Sequence, residues 1–219
     1  MSQQLLVESI RDRLVAVRDR LHAVGGDTVQ ILAVTKSFPA PYVRAAVDAG
    51  CTRVGESYAQ DLLGKYDQAR PWPPVHFIGR LQTNKIRSLV GVVNVYESVD
   101  RQSVVVELER RDPGCVVLVQ VNATAEPGKG GCAVADVPAL VNAARSAGLV
   151  VEGLMCVGPT VGGPVDIARA FRITRSLVDQ LDLSVCSMGM TDDLEIAVGE
   201  GSTQVRVGSA LFGQRPARS

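Results

Sequence analysis

Cys115-Val-Val-Leu-Val-Gln-Val121 is apolar at every position but one and runs toward the Gly-rich loop Glu126-Pro-Gly-Lys-Gly-Gly131. A strand with one wet face alternates polar and apolar side chains, whereas a strand covered on both faces reads as a nearly continuous β-branched run. This stretch is therefore read as a buried parallel strand. The chain after it repeats strand and helix. Asp136 is placed as the cap of a helix carrying Val137, Leu140, Val141 and Ala144, and Gly148 leads to a strand over Val150–Cys156. A Gly/Pro loop, Gly158–Pro164, precedes a helix marked by Ile167, Phe171, Val178 and Leu181. Strands over Ser184–Ser187 and Gln204–Val207 flank a helix from Asp192 to Val198, and Ser209-Ala-Leu-Phe212 is one last helical turn.

The same unit extends upstream. Asp100 is expected to cap a helix through Leu108, its carboxylate accepting from first-turn amides. Before it come a strand over Val92–Glu97, a helix over Asn84–Val90, a strand over Val75–Ile78 and the rigid connector Arg70-Pro-Trp-Pro-Pro74. Tyr58, Leu62, Leu63 and Tyr66 suggest another helix, Thr52–Gly55 a short strand, and Pro41–Ala49 a helix closed by Gly50. The first strand is Ile31-Leu-Ala-Val-Thr-Lys36. A leading amphipathic helix carries Leu6, Ile10, Leu14, Val17, Leu21 and Val24 and stops at Gly25-Gly26. Eight strands alternating with eight helical segments, in units of roughly 25 residues, predict a single closed (β/α)8 barrel of the TIM type with an extra N-terminal helix. The whole chain, 1–219, is expected to form that one domain; an open doubly wound sheet is the alternative if the strand count is off by one.

Composition narrows the function classes. Lys+Arg and Asp+Glu number 23 each, so the chain has no net charge with which to attract nucleic acid or an anionic membrane. Small or neutral partners are expected, and a monomer. The cysteines, Cys51, Cys115, Cys132, Cys156 and Cys186, are odd in number, dispersed and without a Cys-x-x-Cys pair, as befits reduced cytosolic thiols. With His22 and His76 the only histidines, no structural metal is expected. The N-terminus lacks the basic and apolar segments of a signal peptide and no run is long enough to span a bilayer, so a cytoplasmic protein is expected.

In a barrel of this kind the functional groups lie where the strands end. Lys36, Ser57, His76, Gly79, Asn122, Met155, Ser187 and Arg206 qualify by position. Alternation puts Leu32, Val34 and Lys36 on one side of the first strand and Ile31, Ala33 and Thr35 on the other. Desolvation at the mouth of a buried strand favours the neutral amine, the form that attacks an aldehyde. The alternative is a strand-end lysine whose stem is buried while its head reaches water. Gln204-Val-Arg-Val-Gly-Ser209 sets Arg206 opposite in parity to Val205 and Val207, then offers Gly208 and Ser209 at a helix start, the arrangement barrels use to hold phosphate. Ser187-Met-Gly-Met190 adds a hydroxyl and a glycine allowing close backbone approach. Equally, the last stretch could be a glycine turn with a surface arginine.

An amine for an aldehyde, a phosphate cradle and an arginine between them meet the needs of pyridoxal 5′-phosphate. Through AVTK from Ala33, VGESYAQ from Val54, HFIGRLQTNK from His76, the Glu126–Gly131 loop, GLM at Gly153, SMGMTDD from Ser187 and STQVRVGSALFG from Ser202, the chain resembles the pyridoxal phosphate homeostasis protein family, single-domain relatives of the N-terminal barrel of alanine racemase. The resemblance implies that Lys36 carries the cofactor as an internal aldimine and that Arg206 faces the pyridine nitrogen. It implies that Ser187, Gly208 and Ser209 hold the phosphate, with Ser57 and Met188 also in the cofactor site. The family usually has asparagine where this chain has Ser57 and threonine where it has Ser209; Ser209 keeps the hydroxyl, while Ser57 lacks the amide donor. The implied role is a carrier and regulator in intracellular vitamin B6 homeostasis, with apo-enzymes that use the cofactor as possible partners. The competing reading is an enzyme on the same barrel, an amino-acid racemase or a Schiff-base aldolase. A racemase would take its second base from a further β domain, for which 219 residues leave no space, and no acid/base partner for an aldolase is identifiable. A purely structural barrel is the third possibility, should Lys36 prove unreactive.

Overall fold

The computed structural model describes residues 2–66 and 72–214; Arg70 and Pro71 of the expected connector lie outside the described residues. Helix α1 (Gln3–His22) is capped by the Ser2 hydroxyl, which accepts from the Leu5 amide at 3.3 Å. Its buried stripe is Leu6, Ile10, Leu14, Val17 and Leu21. Val24 lies in the turn beyond the helix and is exposed, because the chain has left helical phase before reaching it.

The strands are β1 (Gln30–Val34), β2 (Val54–Glu56), β3 (Val75–Phe77), β4 (Val95–Val99), β5 (Val116–Asn122), β6 (Cys132–Ala133), β7 (Val150–Cys156), β8 (Val185–Ser187) and β9 (Gln204–Val207). Every pairing is parallel, and the ladder β1-β2-β3-β4-β5-β7-β8-β9 returns to β1, closing an eight-stranded barrel. β6 was not anticipated, since two residues carry no periodicity. It pairs with Val121 and Asn122 of β5 past the last β4–β5 pair, Val99 with Val119.

Between the strands lie α2 (Ala40–Asp48), α3 (Ala59–Tyr66), α4 (Thr83–Leu89), α5 (Gln102–Arg111), α6 (Val137–Ser146), α7 (Pro164–Gln180), α8 (Leu194–Gly199) and α9 (Ser209–Phe212). Three local expectations are corrected. β4 starts at Val95, not Val92, because the amides of Val92 and Val93 bond back to the Leu89 carbonyl and close α4. Asp100 does not cap α5: the N-cap is Arg101, whose guanidinium takes the Asp100 carboxylate. Asp136 precedes α6 but makes no cap bond, because a 3-10 turn over Val134–Asp136 already holds it in helical conformation.

Alternation along the strands divides the interior in two. Ala33, Val54, Val117, Leu154 and Val205 pack with Val43, Leu62, Leu108, Val141 and Phe171 in the apolar layer between barrel and helices. The opposite parity is partly polar. Glu97 of β4 bonds Ser187 of β8 and Gln204 of β9, strands that are not neighbours in the ladder, so these contacts cross the lumen.

Candidate functional site

At the C-terminal ends of the strands opens a cavity of about 470 Å³, lined by Val34, Lys36, Phe38, Ser57, Ile78, Met155, Val157, Met190, Thr191, Asp192, Arg206, Gly208, Ser209, Gly213 and Gln214. This volume suits a small cofactor. A second cleft, of about 440 Å³, lies at the opposite end among Arg18, His22, Asp27 and Gln30, the face where barrel residues serve stability.

Of the seven residues singled out in the sequence, Lys36, Ser57, Arg206, Gly208 and Ser209 line the cavity, whereas Ser187 and Met188 do not. Neighbours on a strand face opposite sides. Ser187 therefore points into the lumen beneath Arg206, its hydroxyl donating to Glu97 Oε2 at 2.7 Å, and Met188 packs outward in the apolar layer against Cys186. Gly189 makes no room for a ligand either. A Cβ there would come within 2.4 Å of the Ala197 Cβ, so this glycine lets α8 approach the barrel.

Lys36 stands just past β1, in the turn Thr35–Phe38 that the Phe38 amide closes on the Thr35 carbonyl at 3.1 Å. Val34 shares the cavity with it, while Ala33 enters the outer apolar layer and Thr35 bonds Glu56. Ser57 follows β2, backed by Gly79, where a Cβ would lie 1.9 Å from the Ser57 carbonyl oxygen. The position of Gly79 at a strand end thus reflects chain packing. Asn122 is likewise structural, its amide donating to the Glu126 carbonyl at 3.1 Å.

Arg206 is buried at the cavity floor. Its Nη1 donates to the Ser187 carbonyl (2.7 Å) and hydroxyl (2.9 Å), and its Nη2 to the Cys156 carbonyl (2.6 Å), while Nε has no acceptor among the described residues. Beneath it sits fully buried Glu97, which also accepts from Gln204 Nε2 at 2.8 Å. His76 Nδ1 lies 2.6 Å from Glu97 Oε1, so this histidine, a candidate by its position at a strand end, serves a buried carboxylate. Burial alone would raise the Glu97 carboxyl, but the hydrogen bond and charge of His76, the charge of Arg206 and the Ser187 hydroxyl outweigh it and hold the group below the usual carboxylate range.

The Gly208–Ser209 turn caps α9 and is tied to the loop after β8. The Ser209 hydroxyl contacts the Thr191 hydroxyl at 3.1 Å, and the Ala210 amide donates to the same oxygen at 3.4 Å. Thr191 was missed as a lining residue, though it stands in the SMGMTDD motif; its signal was a hydroxyl a few residues past a strand end. Glu97 and Gln204 were missed because a polar residue inside an apolar strand does not announce its partner across the lumen.

The chain matches the family described as alanine racemase, N-terminal domain, over residues 7–216. It is 40% identical to the pyridoxal phosphate homeostasis protein of Pseudomonas aeruginosa over 220 aligned positions, covering 96% of each chain. Among solved structures it is similar to a protein of unknown function from Bifidobacterium adolescentis (TM-score 0.89, 31% identity, 97% of this chain and 98% of that one). It is similar also to PipY of Synechococcus elongatus, solved with PLP bound (TM-score 0.81, 29% identity, 93% of this chain and 100% of that one). Fold, full-length coverage and identity agree, and the chain belongs to the pyridoxal phosphate homeostasis protein family.

Proposed function

We propose that the protein binds pyridoxal 5′-phosphate in the 470 Å³ cavity as a Schiff base on Lys36 and acts as a carrier and regulator of the cofactor, not as an enzyme. The observation that carries this is the convergence of Lys36, Arg206 and the Gly208–Ser209 turn, three separate stretches of sequence, on one cavity. The residues fit the group: an amine for the aldehyde, a buried cation for the ring edge and a backbone turn with two hydroxyls for the phosphate. When bound, the cofactor supplies an aldehyde and an electron-poor ring.

Lys36 would supply the amine that holds the cofactor through its aldehyde. Arg206, anchored by three acceptors and so with little freedom to swing away, would be the cation beside the bound ring. Gly208 and Ser209, with Thr191, would hold the phosphate end. Two of the other lysines are committed to ion pairs: Lys65 is buried in contact with Glu56, and Lys129 contacts Glu126.

Borohydride reduction of the protein mixed with pyridoxal phosphate, followed by peptide mass mapping, tests the assignment. A pyridoxyl group on Lys36 is expected; its appearance on Lys65, Lys85 or Lys129 instead overturns the proposal.

A further inference from the structure

We infer that Lys65, acting with Glu56 and Asp61, is a positioning residue that sets the turn carrying Lys36; the inference rests on the reading that Lys36 is the amine taking the cofactor. Lys36 lies two residues past the end of β1 at Val34. The chain beyond that end turns with a non-glycine residue in the left-handed region, Ser37 at φ 66. Such a conformation persists only where its surroundings hold it.

The surroundings are specific. Lys65 of α3 is 5% exposed, and its ammonium donates at 3.0 Å to each of the carbonyls of Thr35 and Phe38, the two that bracket Lys36 and Ser37. Its charge is met by Glu56 Oε1 at 2.7 Å and Asp61 Oδ2 at 3.3 Å. Asp61 Oδ2 also accepts from the Ser37 amide at 3.1 Å, and the Thr35 hydroxyl donates to Glu56 Oε1 at 2.5 Å. One residue beyond Glu56, Ser57 lines the cavity beside Lys36.

Two lysines thus divide the work. An ammonium has three hydrogens, and four oxygens surround that of Lys65, so it cannot present a free amine to an aldehyde. A buried ion pair seldom adds net stability, since desolvation consumes the attraction. Here the pair is spent on the backbone around the residue whose direction decides whether an amine meets an aldehyde, and near-attack placement is sensitive to shifts of about 1 Å.

The test separates positioning from mere folding by using two ligands. Pyridoxal 5′-phosphate can form the C=N bond, whereas pyridoxine 5′-phosphate has the same ring and phosphate with an alcohol in place of the aldehyde. Lys65→Met and Asp61→Ala are compared with wild type for rate and extent of aldehyde capture, read from absorbance and borohydride trapping, and for pyridoxine 5′-phosphate affinity by titration. Capture should slow by about tenfold or more in both variants while pyridoxine 5′-phosphate affinity is unchanged. Should Lys65→Met fail to fold, Asp61→Ala, whose side chain is 36% exposed, decides alone. Variants that capture aldehyde like the wild type, or that lose both ligands in parallel, overturn this inference while a wild type trapped on Lys36 leaves the function reading standing. A wild type trapped at another lysine overturns both.

Discussion

Arg206 and Glu97 meet through a single hydroxyl: Ser187 Oγ accepts from Arg206 Nη1 at 2.9 Å and donates to Glu97 Oε2 at 2.7 Å. A positive group at the cavity floor is thereby joined to a buried carboxylate in the lumen, whose charge His76 and Arg206 both offset. Ser187→Ala leaves Glu97 Oε2 without this donor and should cost about 1–3 kcal/mol in urea unfolding. Glu97→Ala strips a buried charge from Arg206 and His76 and should cost more, about 3–5 kcal/mol.

Acid should act through the same carboxylate. Its folded pKa is depressed, so its contribution is present above the unfolded value and is lost as pH falls through the folded one. Glu97→Gln should flatten the acid limb of a stability–pH curve and leave the alkaline side unchanged. An unaltered acid limb would show that other carboxylates dominate.

Phosphate retention should depend on the Gly208 backbone. A Cβ there would meet Val34 at 3.6 Å and 3.7 Å, ordinary contact distances, so the fold itself accepts Gly208→Ala. Its effect should therefore fall on the ligand: a lower affinity for pyridoxal phosphate by about tenfold or more, with unfolding midpoint unchanged and affinity for unphosphorylated pyridoxal little altered. Equal wild-type affinity for the two ligands, measured by titration, would rule out the cradle.

The Gly-rich loop should be latched by Glu126, whose Oε1 accepts from the Thr160 amide at 3.0 Å and from Lys129 at 3.1 Å. Those bonds hold its carboxyl down to about 2, so the latch should persist through mild acid and release only as pH falls toward that value. Glu126→Gln should loosen the loop at neutral pH, seen as faster amide exchange over residues 126–131.

Amino acids should not be turned over at a useful rate. Among the described residues Asp192 is the one carboxylate lining the cavity, and it adjoins Thr191, which contacts Ser209. A racemase needs a base on the face opposite its lysine, and no second carboxylate, histidine or tyrosine lines the cavity among the described residues. On the proposed reading, with Arg206 at the pyridine edge, ring protonation would also be disfavoured, because a second positive charge is repelled. Incubation with L-alanine in heavy water should give slow exchange and cofactor release; multiple turnovers per second of Cα deuteration and inversion by NMR and chiral chromatography would defeat this expectation.

What the sequence determined by itself is what short-range periodicity encodes: the buried run at Val116–Val121, the βα alternation, and the strands Val150–Cys156 and Gln204–Val207, whereas the first strand, expected to run through Lys36, stops at Val34 and leaves that amine in the turn beyond. Those features come from local spacing, because pleat and helix repeat every 2 and about 3.6 residues whatever the rest of the chain does. Only the tertiary structure decided which parity faced the lumen and which polar groups met there. Glu97 finds Ser187 90 residues away and Gln204 107 away, and Ser187 turns from the cavity to serve them. Such pairings depend on the stagger at which the ladder closes, which sets the height of each side chain in the lumen. Lys65 reaches the Lys36 turn for a similar reason: helix phase places it on the buried face of α3, but only the packing of α3 against β1 and β2 puts two carbonyls and a carboxylate within its reach.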